Sequence, residues 1–310
     1  MKEINNISPD QHKFLQRTSV IDNPAKCLWF QGNLPENWSE MPIVAIVGSR
    51  KPTEYGKNVT LRLAAALAAH NVIIVSGLAI GHDSLAARGA LDGGGITIGV
   101  VGNGLNNQYP RTTWALREEI LEKGGAVISE YSPETPVYPG NYLLRNRLIS
   151  ALSDVVIVVE AGEKSGTLNT AMHALNQGKE LMAVPGNITS PLSVGCNRLI
   201  ASGAGIVLGA DDVLEKLREI FSMRAGGESV AKQISASISS KVKDPTLSQP
   251  ITASDTSETK ILKLLTQGVI DGDEIMRRAH LSVVEYNTNL TMLEINGQVR
   301  ALGANRWTLR

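Results

Sequence analysis

The sequence predicts an α/β protein: a doubly wound, mostly parallel sheet, preceded by a short N-terminal extension and followed by a C-terminal winged helix-turn-helix domain. Three observations predict it. Short apolar strands alternate with amphipathic helices between residues 43 and 220, as in a parallel sheet covered on both faces. Six of those strands run straight into a glycine, a small polar residue or an acid. Three helical segments and a two-strand tail then fill residues 258–310, the layout of a winged helix.

The elements follow in order. Residues 1–41 are polar apart from Cys27-Leu28-Trp29-Phe30, and read as an extension that packs Trp29 against a main domain at 42–222. A strand over 43–47 leads to a helix over about 56–70, where Val59, Leu61, Leu63 and Leu67 sit among alanines, good helix formers. Strands over 72–76 and 96–101 lead to helices near 83–91 and 113–123. A strand over 126–129 precedes a helix near 141–151. Val155-Val156-Ile157-Val158-Val159 shows no polar alternation, which predicts a central strand buried on both faces. A helix over 167–177 closes at Gly178. A strand over 181–184, a helix over 195–202, a short strand over 206–208 and a helix over 211–220 complete the domain. Residues 223–257, rich in Ser, Lys, Gly, Gln and Pro, read as a flexible linker. Helices over 258–266, 273–279 and 283–295 and strands over 298–301 and 306–309 make the winged helix.

Composition narrows the function. A chain of 310 residues can bury a full core and carry a second domain. Thirty Lys and Arg balance thirty Asp and Glu. Such neutrality argues against a broad cationic surface that coats nucleic acid, though not against a local basic pocket. No apolar run approaches the roughly 18 residues of a membrane span, and the N-terminus lacks a signal pattern. A cytoplasmic location without a membrane span is the expectation. Two cysteines, Cys27 and Cys196, fit a reducing compartment. The five histidines share no metal-ligand spacing; His82 and His173 read as surface or packing residues. Neither a metal nor a cofactor is expected.

In a parallel sheet the carboxyl ends of the strands line one edge, where ligands bind. Gly48-Ser49-Arg50-Lys51 follows the first of the six strands. A Gly-bearing turn opening onto a helix suits an anion, and Arg50 and Lys51 add cationic donors. Ser165-Gly166-Thr167 precedes the helix after the central strand, where free N–H groups could bind a phosphate or merely cap the helix. Arg145 and Arg147, at i and i+2, do not share a helix face, so one can reach the ligand edge and the other a structural carboxylate. Glu130 and Glu160 end successive strands; they could be a general acid and base or hold the arginines. The C-terminal domain carries seven Lys or Arg against six Asp or Glu, a net +1. Its presumed recognition helix has Glu285 and Glu294 and no Lys or Arg, leaving Asn287 and Asn289 as possible base readers. That composition favours a protein-contacting role over tight duplex binding.

These motifs resemble the DNA-processing protein A family (DprA, also called Smf). The resemblance covers Leu28-Trp29-Phe30-Gln31-Gly32-Asn33-Leu34, Val47-Gly48-Ser49-Arg50 with Thr53 and Tyr55-Gly56, and Ser76-Gly77-Leu78-Ala79 with Gly81 and Asp83. It continues through Gly102, Gly104, Tyr109-Pro110 and Ser129-Glu130 to Arg145-Asn146-Arg147-Leu148-Ile149-Ser150, Val159-Glu160-Ala161, Ser165-Gly166-Thr167, Ala183-Val184-Pro185-Gly186 and Gly195 with Asn197 and Leu199-Ile200. The resemblance implies an extended Rossmann-like domain that binds single-stranded DNA in its edge pocket and loads RecA recombinase during natural transformation. It also implies a homodimer with no catalytic step. On this resemblance Arg50 is the DNA-contacting arginine, and Gly48, Ser49, Arg145, Arg147, Ser165, Gly166 and Thr167 complete the phosphate pocket; the reading of the turn itself adds Lys51 as a phosphate-binding cation. Glu130 and Glu160 become partners that orient the arginines. Two departures stand out. His82 replaces a usual Ile, with Ala86-Ala87 where Ala-His is usual, and Tyr138–Leu144 differs from the usual Phe-Pro segment before Arg145. The rival is a phosphoribohydrolase-like enzyme on a similar fold, but its Pro-Gly-Gly turn and following Glu have no counterpart at Lys164-Ser165-Gly166-Thr167.

Overall fold

The computed structural model describes residues 3–35, 41–224, 227–240, 256–266, 269–296, 298–303 and 305–309. It contains two compact units, Met1–Ile238 and Ser239–Arg310.

The first unit is built on a nine-stranded sheet in the order β1-β2-β6-β5-β4-β3-β7-β8-β9. The parallel strands are β3 (Ile43–Val47), β4 (Ile73–Ser76), β5 (Thr97–Val101), β6 (Ala126–Ser129), β7 (Val155–Val158), β8 (Glu180–Ala183) and β9 (Gly205–Ile206). The chain winds outward from β3 to β6, then crosses back and winds the other way from β7. Neighbouring β3 and β7 therefore send their following segments in opposite directions, and a crevice opens beyond their carboxyl ends. Both strands are apolar and buried throughout. Their side chains alternate between two cores: Ile43, Ala45 and Val47 face one, Val44 and Ile46 the other. Each such aliphatic group, taken from water to full burial, stabilises by about 1.5–3 kcal/mol.

Helices α1 (Glu54–Ala68), α2 (His82–Asp92) and α7 (Ala210–Met223) pack on one face. Helices α4 (Pro139–Leu152), α5 (Thr167–Asn176) and α6 (Val194–Ala201) pack on the other. Helix α3 (Trp114–Glu122) covers the outer strands through Leu116, Ile120 and Leu121.

Two expectations change. The N-terminal segment is part of the sheet, because β1 (Asn5–Ile7) and β2 (Leu28–Gly32) add to its edge as antiparallel strands. Trp29 packs there against the outer core. The expected linker begins instead as helix α8 (Glu228–Ser240), whose Val230, Ala231 and Ile234 are buried in the core that α7 closes. Apolar residues at helical spacing outweigh a Ser-rich composition. The rest of the linker, 241–255, lies outside the described residues.

The second unit carries α9 (Ser257–Thr266), α10 (Gly272–Ala279), α11 (Val283–Ile295) and a hairpin of β10 (Val299–Gly303) and β11 (Arg306–Leu309). Ile261, Ile275, Tyr286, Leu290 and Leu293 form its own core. This is the winged-helix arrangement.

Candidate nucleic-acid interface

The crevice beyond β3 and β7 is a cleft of about 240 Å³. Its floor is the turn after β3. The ladder between the two strands continues past their ends, with Val159 N–H donating to Val47 O at 3.0 Å and Ser49 N–H to Glu160 O at 2.9 Å. Ser49 Oγ then accepts the Lys51 N–H at 3.1 Å. These bonds fix the turn, and Thr53 caps α1 by accepting the Gly56 N–H at 3.1 Å. Gly48, Ser49 and Arg50 line the cleft. Arg50 is exposed and, among the described residues, has no ion-pair partner. Lys51 is also exposed but is not part of the cleft wall.

The opposite wall is the start of α5. Ser165 Oγ accepts the Thr167 N–H at 3.2 Å, and Gly166 is the N-cap residue. Ser165, Gly166 and Thr167 all line the cleft. The Ser165, Leu168 and Asn169 N–H groups also donate locally, to Gly162 O, Ser165 O and Gly166 O at 3.2, 3.0 and 3.2 Å, so what this turn presents to the cleft is the Ser165 and Thr167 side chains and the positive end of the helix dipole.

Arg145 and Arg147 part ways, as their spacing requires. Arg145 is buried at the back of the cleft, its Nη1 donating to Val100 O. Its guanidinium lies against Gly77, where a side chain would overlap it. Burial lowers its pKa, and the neighbouring Asp83 charge opposes that shift. Burial likewise raises Asp83, with Arg145 opposing; Asp83 Oδ2 accepts the Gly77 N–H at 3.1 Å. Leu78, between them in the chain, is held at φ 52, a left-handed conformation that costs a leucine energy and marks a constrained site.

Arg147 points away from the cleft. It forms a two-pronged pair with Glu130, at 3.1 and 2.6 Å, and its Nε donates to Asn23 O at 3.0 Å. It therefore fastens the N-terminal segment to α4. The structure does not bring it to the expected phosphate contacts: each nitrogen of its guanidinium donates to a protein oxygen, and Arg147 does not line the cleft.

Glu160 is corrected too. It orients no arginine. Its carboxylate accepts the Thr53 N–H at 2.9 Å and the Thr53 hydroxyl at 2.5 Å, and lies 3.0 Å from His82 Nε2. Three strands, β5, β4 and β3, separate the two acids that follow one another along the chain, since β6 and β7 lie far apart in the sheet.

Sequence reasoning left part of the cleft unassigned, the departure at Tyr138–Leu144 obscuring which tyrosine, Tyr138 or Tyr142, could stack on a base. Tyr142 forms one side, with the guanidinium carbons of Arg50 and Arg145 at 5.8 and 5.9 Å from its ring centroid. Tyr109 tilts against it at 5.9 Å, and the Tyr142 hydroxyl donates to Asn103 Oδ1 at 3.1 Å. Burial pushes the Tyr142 phenol up to about 12, so it stays neutral. Tyr138 is exposed and does not line the cleft. The available signal was position: Tyr142 lies three residues, about one helical turn, before Arg145.

In the second unit, α11 opens with a capping box. Ser282 Oγ accepts the Glu285 N–H at 3.3 Å, and Glu285 Oε2 accepts the Ser282 N–H at 2.9 Å. Asn289 Nδ2 donates to Glu285 O at 2.7 Å, so this side chain is turned onto its own helix. Among the described residues there is no cluster of metal ligands and no helix long and apolar enough to cross a membrane.

Fold and cleft define a class: Rossmann-like proteins with a cleft at the switch point of the sheet and a C-terminal winged helix. The chain belongs to the DNA recombination-mediator protein A family, whose profile matches residues 5–218, while the DprA winged helix domain profile matches 245–305. It is 39% identical over 213 residues to DNA processing protein DprA of Bacillus subtilis, covering 69% of this chain and 70% of the relative. Against Protein Smf of Escherichia coli it is 44% identical over 175 residues, covering 56% of this chain and 47% of the relative. A solved structure of the Helicobacter pylori DNA processing protein A, studied for its single-stranded DNA binding mode, superposes with a TM-score of 0.62 at 32% identity. That match covers 71% of this chain and 99% of the other.

Proposed function

We propose that the cleft holds the phosphates of single-stranded DNA, and that the protein shields incoming strands and passes them to RecA recombinase during natural transformation and recombination. In this reading it acts as a homodimer in the cytoplasm. The observation that carries it is convergence. An exposed arginine without an ion-pair partner among the described residues, the Ser165–Thr167 turn at the positive end of α5 and a tyrosine ring meet in one cleft at the switch point. Arg50 and the Ser165–Thr167 turn suit a phosphodiester, and the Tyr142 and Tyr109 rings suit an unpaired base beside it. Backbone contacts read little sequence, so preference among sequences is weak.

The same geometry favours binding over hydrolysis. Glu130 is spent on Arg147, and Glu160 on Thr53 and His82. Asp83, the carboxylate in the cleft, is tied to the Gly77 N–H and balanced by Arg145. This leaves the phosphoribohydrolase reading without a free acid-base pair. The lack of Lys or Arg on α11 fits a winged helix that contacts protein.

Fluorescence anisotropy with a labelled oligodeoxythymidylate and a duplex of equal length, at several salt concentrations, tests the reading. The expected result is a preference for the single strand with a shallow salt slope, since few cations face the cleft. Equal or tighter duplex binding overturns it.

A further inference from the structure

Beneath the Gly48–Arg50 turn runs a set of buried hydrogen bonds that the cleft itself does not use. The His82 ring is fully buried. Its Nε2 lies 3.0 Å from Glu160 Oε2 and its Nδ1 2.6 Å from Thr60 Oγ1. The turn rests on this ring. A side chain at Gly48 would overlap the imidazole. Ser49 O accepts the His82 N–H at 3.3 Å, while Ser49 N–H donates to Glu160 O at 2.9 Å. Histidine and glutamate thus hold the turn through its backbone and from below.

The pair accommodates two protonation states. The Thr60 hydroxyl is 2.6 Å from His82 Nδ1 and 2.8 Å from Gly56 O. With a neutral ring, Thr60 donates to Nδ1 and Nε2–H donates to Glu160. With a protonated ring, Nδ1–H donates to Thr60, whose proton turns to Gly56 O. Every donor keeps an acceptor in both states, so the extra proton costs no hydrogen bond. What opposes it is burial, which holds the ring below the ordinary histidine pKa against the pull of Glu160. An anion above the turn favours the charged ring. The other charges nearby are few. Arg50 sits on the turn, and Asp83 and Arg145 offset each other. Helix α1 presents Thr53, Thr60 and, toward Glu160, Tyr55, while α6 presents Cys196 toward Glu160.

We propose that His82 is a positioning residue of the phosphate turn and takes up a proton when an anion binds there, so that single-stranded DNA binds more tightly as pH falls. Linkage makes the two statements equivalent: if binding raises the affinity for the proton, the proton raises the affinity for DNA. The inference rests on the single-stranded DNA reading.

The test is anisotropy with labelled oligodeoxythymidylate, whose base does not titrate in this range, at fixed ionic strength between about pH 8 and about pH 5.5. Wild type is expected to tighten about fivefold or more, the lower end of ordinary couplings. His82→Gln keeps a donor for Glu160 but cannot titrate, and loses that dependence. Thr60→Val removes the acceptor for the protonated ring and weakens it. Calorimetry in two buffers of different ionisation enthalpy counts the proton directly: uptake by wild type, none by His82→Gln. A thermal melt checks folding, and if His82→Gln does not fold, Thr60→Val and the wild-type proton count decide. Equal pH slopes in wild type and His82→Gln, or no proton uptake by wild type, overturn the inference and leave the DNA reading standing. No binding by wild type at any pH overturns both.

Discussion

Replacing Arg50 by alanine separates a ligand contact from a structural one. The side chain is exposed, and among the described residues it makes neither a hydrogen bond nor an ion pair; its guanidinium carbon stands 5.8 Å from the Tyr142 ring centroid, and its charge adds a minor favourable field at Asp83. Its removal therefore leaves no buried group without a partner, and folding stability should stay within about 0.5 kcal/mol of wild type. In the complex the loss is a charge-assisted bond to phosphate, worth about 1.5–3 kcal/mol net. Exposure places it at the low end, so about 1.5 kcal/mol, or roughly a tenfold rise in Kd for oligodeoxythymidylate. Loss of one phosphate contact should also lower the salt slope by about 0.7. Anisotropy titrations at several salt concentrations, with a thermal melt of each protein, read all three quantities. An unchanged Kd and slope would refute the assignment of Arg50. A weaker Kd with a much lower melting temperature would refute the claim that its role is not structural.

Other expectations divide along the same line. Arg147→Ala leaves the half-buried Glu130 without its cation and Asn23 O without its donor; breaking such a pair costs about 3–5 kcal/mol, read as a lower urea midpoint. Gly77→Val drives a side chain into the Arg145 guanidinium, an overpacking of about 1–3 kcal/mol, and DNA binding falls with it because Arg145 backs the cleft. Burial holds His82 below the ordinary histidine value, so below about pH 6.5 the unfolded chain takes a proton the folded one resists. Stability of the DNA-free protein is full above that pH and falls on acidification by up to ~1.4 kcal/mol per pH unit, and His82→Gln flattens the fall in urea titrations. The cleft lies wholly within the first unit, so a chain ending at residue 241 should retain its affinity for single strands in the same anisotropy assay.

The central architecture was legible because parallel strands buried on both faces must be apolar throughout, and Val155–Val158 announces itself that way. Helix limits were legible to within a few residues where Thr53, Gly178 or Ser282 punctuate the chain. Strand β1 was not, since Asn5-Asn6-Ile7 is short and polar and gains its place by pairing with β2. Helix α8 hid behind its serines, although Val230, Ala231 and Ile234 carry the helical spacing. In the site, the Gly48–Arg50 turn and the α5 start could be read locally, each being one turn after one strand. The roles of Glu160 and Arg147 could not. They depend on sheet order, which sets β7 beside β3 rather than β6 and brings Glu160 under α1 and α2 instead of near an arginine. His82 was readable only as a surface or packing residue, because nothing in the chain's order shows that Thr60 and Glu160 close on its two nitrogens.

A crystal structure with a bound oligodeoxythymidylate tests the central claim most directly. The account predicts one phosphate in the cleft between β3 and β7, its oxygens about 2.7–3.2 Å from donors of the Ser165–Thr167 turn and from Arg50, with a base against Tyr142. A strand bound elsewhere on the first unit, or only on the winged helix, with the cleft free of phosphate, would contradict it.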